Sequence, residues 1–256
     1  MKIGVFDSGL GGLWMLQHIR ALLPEYNYVF FGDQAHVPYG NKTVAELFEY
    51  TTKALTHLYE KENCGVVILA CNTTSATIYT ELREWVNENY PERLVFGVVR
   101  PTVEALAGEE SLAFFGTHRT IESHTYGSQF SIPELYEIEL PELATLIERD
   151  GDTASYLNSY STSIPQTVTT GVLVCTHYGI VREEFKKAFP QIKKWVYQED
   201  IIPSYLASYF KTHERVEERF FKASEMKVLV SAPNPVFEKF LGQWFVESLP
   251  VHIISL

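Results

Sequence analysis

Short apolar runs alternate along this chain with longer segments of helical period, and that alternation restricts the fold more than any other feature. The runs at 2–6, 28–32, 66–70, 94–99, 112–116, 136–140, 172–174, 195–197, 228–231 and 252–255 read as strands. The stretches 13–23, 44–61, 75–89, 182–189, 202–212 and 235–245 read as helices. Strands apolar throughout, separated by helices, imply parallel sheets covered on both faces. So many strands exceed what one doubly wound sheet of this length usually holds. The expected fold is therefore α/β: two doubly wound, Rossmann-like domains in a pseudo-twofold relation with a cleft between them. No Pro-, Gly- or Ser-rich linker interrupts the pattern, so the domains should sit close together.

The formal net charge is −11. Nucleic acid needs a basic face to displace counterions from phosphates, so no nucleic-acid partner is expected. No apolar stretch reaches the roughly 18–20 residues of a membrane span. The opening Met1-Lys2-Ile3-Gly4-Val5-Phe6-Asp7 reads as a strand rather than a signal peptide. Three cysteines without a framework of close spacings fit a reducing compartment. The expectation is a soluble cytoplasmic protein with no membrane partner.

Two segments repeat one plan. Val66 to Ala70 leads into Cys71-Asn72-Thr73-Thr74, and Gly171 to Val174 leads into Cys175-Thr176-His177-Tyr178. Each is an apolar strand ending in cysteine, followed by hydroxyl residues that are candidates to cap a helix. In open α/β sheets ligands gather at the carboxyl ends of strands. A thiol placed there meets a helix dipole and free N–H groups, which favour its thiolate. Two such thiols on matching strands suit racemisation: one takes a proton from a tetrahedral carbon, the other returns one to the opposite face. An α-proton is far less acidic than a thiol, at about 1.4 kcal/mol per unit of mismatch. Fixed donors must therefore stabilise the developing charge, and Asp7-Ser8-Gly9 and Thr117 to Thr120 are candidates.

Other readings are weaker. A lone cysteine flanked by apolar residues is as often packed core, and that is the reading for Cys64. Zinc on Cys71, Cys175 and His177 lacks any close Cys or His pairing, so no metal is expected. Gly9-Leu10-Gly11-Gly12 invites a dinucleotide, with Asp33 as the ribose acid, but Trp14 stands where the third glycine belongs.

The motifs together resemble glutamate racemases. The match runs through Ile3 to Gly12, Phe31-Gly32-Asp33, Val37-Pro38-Tyr39-Gly40, Ala70-Cys71-Asn72-Thr73, Gly116-Thr117 with Thr120-Ile121, and Cys175-Thr176-His177-Tyr178. It extends to about Phe189 and continues faintly through Val230-Ser231 and Phe237 to Gly242. The chain departs from the family pattern in four places. Arg100-Pro101 replaces a usual Glu-Pro, Val174 a small residue, Gly179 a Pro, and Gln198-Glu199 an Asp-Ser.

The resemblance implies cofactor-independent interconversion of L- and D-glutamate, supplying D-glutamate for peptidoglycan. It implies that Cys71 deprotonates the D-isomer and Cys175 the L-isomer, with Asp7 and His177 as their acid–base partners. Ser8, Pro38, Tyr39, Gly40, Asn72, Thr73, Thr117, Thr120 and Thr176 are then the substrate-lining residues. Glu148 falls where the family often has a glutamate near the site; read alone, it is a solvated helix residue. The implied domains are 1–97 plus 208–256, carrying Asp7 and Cys71, and 98–207, carrying Cys175 and His177. A homodimer is common in such enzymes. Two alternatives stay open: a racemase of another amino acid, such as aspartate, and a binding or regulatory protein on the same scaffold.

Overall fold

The computed structural model describes residues 1–256. Its strands are β1 (Lys2–Asp7), β2 (Tyr28–Gly32), β3 (Cys64–Leu69), β4 (Leu94–Gly97), β5 (Ser111–Gly116), β6 (Glu134–Glu139), β7 (Thr170–Val174), β8 (Lys194–Val196), β9 (Met226–Val230) and β10 (Val251–Ile253). They form two sheets, ordered β10-β9-β2-β1-β3-β4 and β6-β5-β7-β8, and every pairing is parallel. The fold is α/β with two doubly wound sheets.

The second sheet repeats the order of β2-β1-β3-β4 within the first. In each, the chain starts centrally, crosses to one side, then returns to the other side of its starting strand. That reversal opens a crevice beyond the carboxyl ends of the central strands. β1, β3, β5 and β7 are the central strands, and they are almost wholly buried. The edge strand β6, Glu-Leu-Tyr-Glu-Ile-Glu, is only half-buried along its length, and its glutamates discourage further pairing.

One apolar core runs through both halves. Ile3, Phe30 and Val228 of the first sheet and Phe115 and Leu173 of the second belong to it, with Leu13 and Leu16 on helix Leu10–Leu22 and Ile202 and Leu206 on helix Gln198–Thr212. These two helices pack on each other and so fix how the sheets face. The expected boundary at 207/208 falls inside the second of them. No helix is long and apolar enough to cross a membrane.

The helices differ from expectation where local chemistry is weakest. The first begins at Leu10 rather than residue 13, because Gly11 and Gly12 have low helix propensity yet occupy its opening turn. The stretch 75–89 is two helices, Asn72–Thr77 and Tyr79–Asn89, broken where Ile78 leaves helical geometry (φ −131°, ψ 12°) and buries its side chain. Residues 98–99, expected to end a strand, lead instead into helix Val99–Ala105.

Candidate active site

β1 and β3 end beside each other in the first sheet, as do β5 and β7 in the second, so four strand ends converge on the crevice. Cys71 follows β3 and Cys175 follows β7. Both line one cleft with Ser8, Val37, Pro38, Tyr39, Gly40, Asn72, Thr73, Thr117, Pro141, Ala144, Thr176 and His177. The cleft is tight, with free space for about one water molecule.

Each thiol has its own surroundings. Cys71 occupies the N-cap position of helix Asn72–Thr77, with its sulfur 3.9 Å from Ser8 Oγ. Burial nevertheless pushes its thiol up to about 11, helped by the Asp7 carboxylate, while the Thr74 hydroxyl and N–H only partly oppose. The expected acidifying effect of a helix start is thus outweighed here. The anticipated hydroxyl caps are also absent at both cysteines; Ser75 Oγ instead donates to Leu69 O at 2.8 Å. Cys175 precedes a 3-10 turn, Thr176–Val181, and its sulfur lies 3.8 Å from His177 Nδ1.

His177 is buried, and burial opposes its charge. Its contacts with the Cys175 sulfur and the Glu148 carboxylate prevail and hold the imidazole well above its ordinary value. Its Nε2 stands 2.7 Å from Glu148 Oε1. Glu148 is therefore not a solvated helix residue. Its side chain is 5% exposed and also accepts from Leu10 N (2.5 Å) and Asn234 Nδ2 (3.0 Å). Its short helix, Leu143–Glu148, buries Leu143, Ala144 and Ile147 too, which carries the carboxylate inward.

Asp7 is fully buried. Its Oδ2 accepts from Gly9 N (3.0 Å) and Gly12 N (2.9 Å), and its Oδ1 from Thr176 Oγ1 of the other half (3.2 Å). Burial raises its carboxyl, while the His177 charge and the two N–H donors act against that. Asp7 and Glu148 thus stand behind the cleft wall rather than on it.

The hydroxyl residues fall in two layers. Thr73 and Thr117 line the cleft with their oxygens 3.0 Å apart. Thr120 lies behind them, 3.0 Å from Thr117 Oγ1. Tyr39 sends its hydroxyl away from the cleft, to Asp33 Oδ2 at 2.6 Å. Asp33 also accepts from Ser231 Oγ (2.6 Å) and meets His36 Nδ1, so it is spent on structure and offers nothing to a ribose. Cys64 is buried at the start of β3, outside the cleft lining, and burial pushes its thiol up to about 12.

Two of the family departures explain each other. A Cβ on Gly179 would come within 2.4 Å of Glu199 Oε1 and 2.7 Å of Trp14 Nε1, the pair that hydrogen-bond at 3.0 Å. The glutamate thus uses the space that a proline at 179 would need. Gln198 has a different use: it exchanges two bonds with Asn72, Asn72 Nδ2 to Gln198 Oε1 (2.6 Å) and Gln198 Nε2 to Asn72 Oδ1 (2.9 Å). Tyr126 OH donates to the same Asn72 oxygen at 2.5 Å. Arg100 is exposed and paired with Glu104 on its own helix. Asn234, Pro141 and Ala144 carried no signal in the sequence, since nothing local marks them as part of the site, and Gln198 was marked only as a departure from the family pattern.

The histidines and acids do not gather into any cluster of three or more groups with metal-holding geometry. No family model matches the chain. Individual relatives do. The chain is 31% identical to the glutamate racemase of Dinoroseobacter shibae over 237 residues, which is 83% of this chain and 85% of that protein. It is 34% identical to glutamate racemase 3 of Caldanaerobacter subterraneus subsp. tengcongensis over 199 residues, or 73% and 69% of the two chains. The crystal structure of Thermus thermophilus glutamate racemase, in complex with β-chloro-D-alanine, superposes with a TM-score of 0.83 at 26% identity. That superposition covers 100% of this chain and 97% of the other. With sequence and fold in agreement over so much of its length, the chain belongs to the glutamate racemase family of amino-acid isomerases.

Proposed function

We propose that this protein interconverts L- and D-glutamate by proton transfer between Cys71 and Cys175, without a cofactor. One observation carries the reading: two cysteines, following the equivalent strands β3 and β7 of the strand order that the two sheets share, line one narrow cleft.

With the L-isomer bound, Cys175 as thiolate takes the α-proton. The S–H bond forms as the C–H bond breaks, and the electron pair passes into a planar carbanion conjugated with the carboxylate. Cys71, held as a thiol by burial, gives its proton to the other face. The D-isomer runs the steps in reverse. His177 as imidazolium places a positive charge against the Cys175 sulfur, and Glu148 steadies it. Asp7 stands toward Cys71 as its acid–base partner. Ser8, Thr73, Thr117 and Thr176, with Asn72 and the Pro38-Tyr39-Gly40 turn, line the substrate, and Thr120 orients Thr117. Hydroxyl and amide donors in a tight, water-poor cleft stabilise developing carboxylate charge more strongly than solvent does.

The chain then divides functionally into one unit carrying Asp7 and Cys71 and another carrying Cys175 and His177, near the limits 1–97 plus 208–256 and 98–207. A cytoplasmic role supplying D-glutamate to peptidoglycan, the family's usual task, follows from the same reading, as does a homodimer. Circular dichroism with both enantiomers of glutamate, aspartate and several other amino acids tests the assignment. Glutamate should turn over fastest in both directions. Faster aspartate turnover overturns the substrate, and no turnover of any amino acid overturns the reaction.

A further inference from the structure

We propose that Asn234 is a positioning residue of this site, fixing the Glu148 carboxylate against His177 and tying the C-terminal segment to the Cys175 side. The inference rests on the two-thiol reading above and goes beyond it.

Asn234 is the N-cap of helix Pro235–Trp244, where its Oδ1 accepts from Val236 N (2.9 Å) and Phe237 N (3.3 Å). The helix start is fixed against the first sheet, because buried Phe237 stacks on Phe30 of β2 with ring centroids 5.7 Å apart. From that anchored position the side-chain amide donates outward twice, to Gln34 Oε1 (2.8 Å) and Glu148 Oε2 (3.0 Å). Capping alone does not require an amide. Asp and Ser cap as well as Asn does, and neither presents a second, outward-facing NH₂.

The two oxygens of Glu148 have unequal support. Oε1 meets both His177 Nε2 and Leu10 N, whereas Oε2 has Asn234 alone. The terminal torsion of a glutamate is soft and roughly two-fold, so the carboxylate plane is not fixed by its own rotamer. A donor on Oε2 fixes it. Without that donor, a buried oxygen is left unpaired and the carboxylate rotates, which weakens its bond to His177. Asn234 therefore acts on the reaction through Glu148 and His177, from the opposite end of the chain.

Asn234→Ser and Asn234→Asp both keep the cap. The first removes the donor, and the second puts a carboxylate opposite Glu148. Each should lower kcat about tenfold or more, with a smaller change in KM and a melt that stays cooperative but falls by several degrees, about 2–4 °C per kcal/mol lost. In the Glu148→Gln background Asn234→Ser should cost almost nothing further, because the group it positions is gone. A readout independent of turnover is ¹⁵N NMR of the His177 ring, whose titration midpoint should move down in Asn234→Ser. The proposal is overturned by parent-like kcat in both variants, by an equal loss in the Glu148→Gln background, or by an unmoved His177 midpoint. If the parent racemises no amino acid yet the His177 midpoint moves, the function assignment fails while the positioning role stands.

Discussion

Gly11→Ala is the change that most directly asks whether the first sheet's opening loop holds the two halves in register. Gly11 lies in the first turn of helix Leu10–Leu22, fully buried. A Cβ there would stand 2.5 Å from Thr176 Oγ1, 2.6 Å from His177 N and 2.7 Å from His177 Nδ1. Ordinary contact begins at 3.4 Å, so the neighbours must retreat by about 0.8 Å. One of them is backbone, and it follows Cys175 by two residues, so the retreat carries the Cys175 loop away from the Cys71 side. Overpacking of this kind costs about 1–3 kcal/mol of stability. Displacing a reacting group by about 1 Å costs on the order of 100-fold in rate. The two enantiomers have equal free energy, so kcat/KM must fall by the same factor in both directions. Circular dichroism at several concentrations of L- and D-glutamate measures both, and a thermal melt separates unfolding from misplacement. An alanine variant that is folded and keeps parent kcat/KM refutes the claim that this contact sets the spacing of the thiols.

Three further outcomes are expected. Cys71→Ser and Cys175→Ser should each abolish racemisation, general acid–base groups being worth about 10²–10⁴-fold, whereas Cys64→Ala should keep activity and lose only stability; an active Cys175→Ser enzyme contradicts the scheme. Glu148→Gln removes one of the contacts that raise the His177 imidazole, so the alkaline limb of kcat/KM should move to lower pH, and an unshifted profile contradicts the pairing. The stability of parent and Glu148→Gln should also diverge with a definite sign. Because the folded imidazole is raised above 6.5, its stabilisation is complete below that pH and is lost as pH rises through the folded value. The parent's advantage in chemical denaturation should therefore be greatest in acid and shrink in alkali.

The strands were legible because burial on both faces leaves an apolar run that few other structures produce. β6 was the least regular, its glutamates marking an edge. Short helices such as Val99–Ala105, His118–Glu122 and Thr153–Asn158 escaped notice, since one or two turns carry too little period to read. Cys71 and Cys175 were visible through the repeated strand-cysteine-hydroxyl plan. Glu148 was marked only by the family resemblance and read alone as solvated, because its burial is made by His177, Leu10 and Asn234, each distant in sequence. The same holds for Gln198, which meets Asn72 across 126 positions. The thiol of Cys71 shows the limit of reasoning from local motifs: a helix start argued for an acidic thiol, and burial beside Asp7 reversed the sign.

Hydrogen exchange at Cα during a single passage through the site tests the paired-thiol scheme most directly. In D₂O, at low conversion from either enantiomer, the product should carry deuterium while recovered substrate keeps its original hydrogen. Protium carried from substrate into product, or deuterium entering recovered substrate as fast as product, would mean that one group serves both faces.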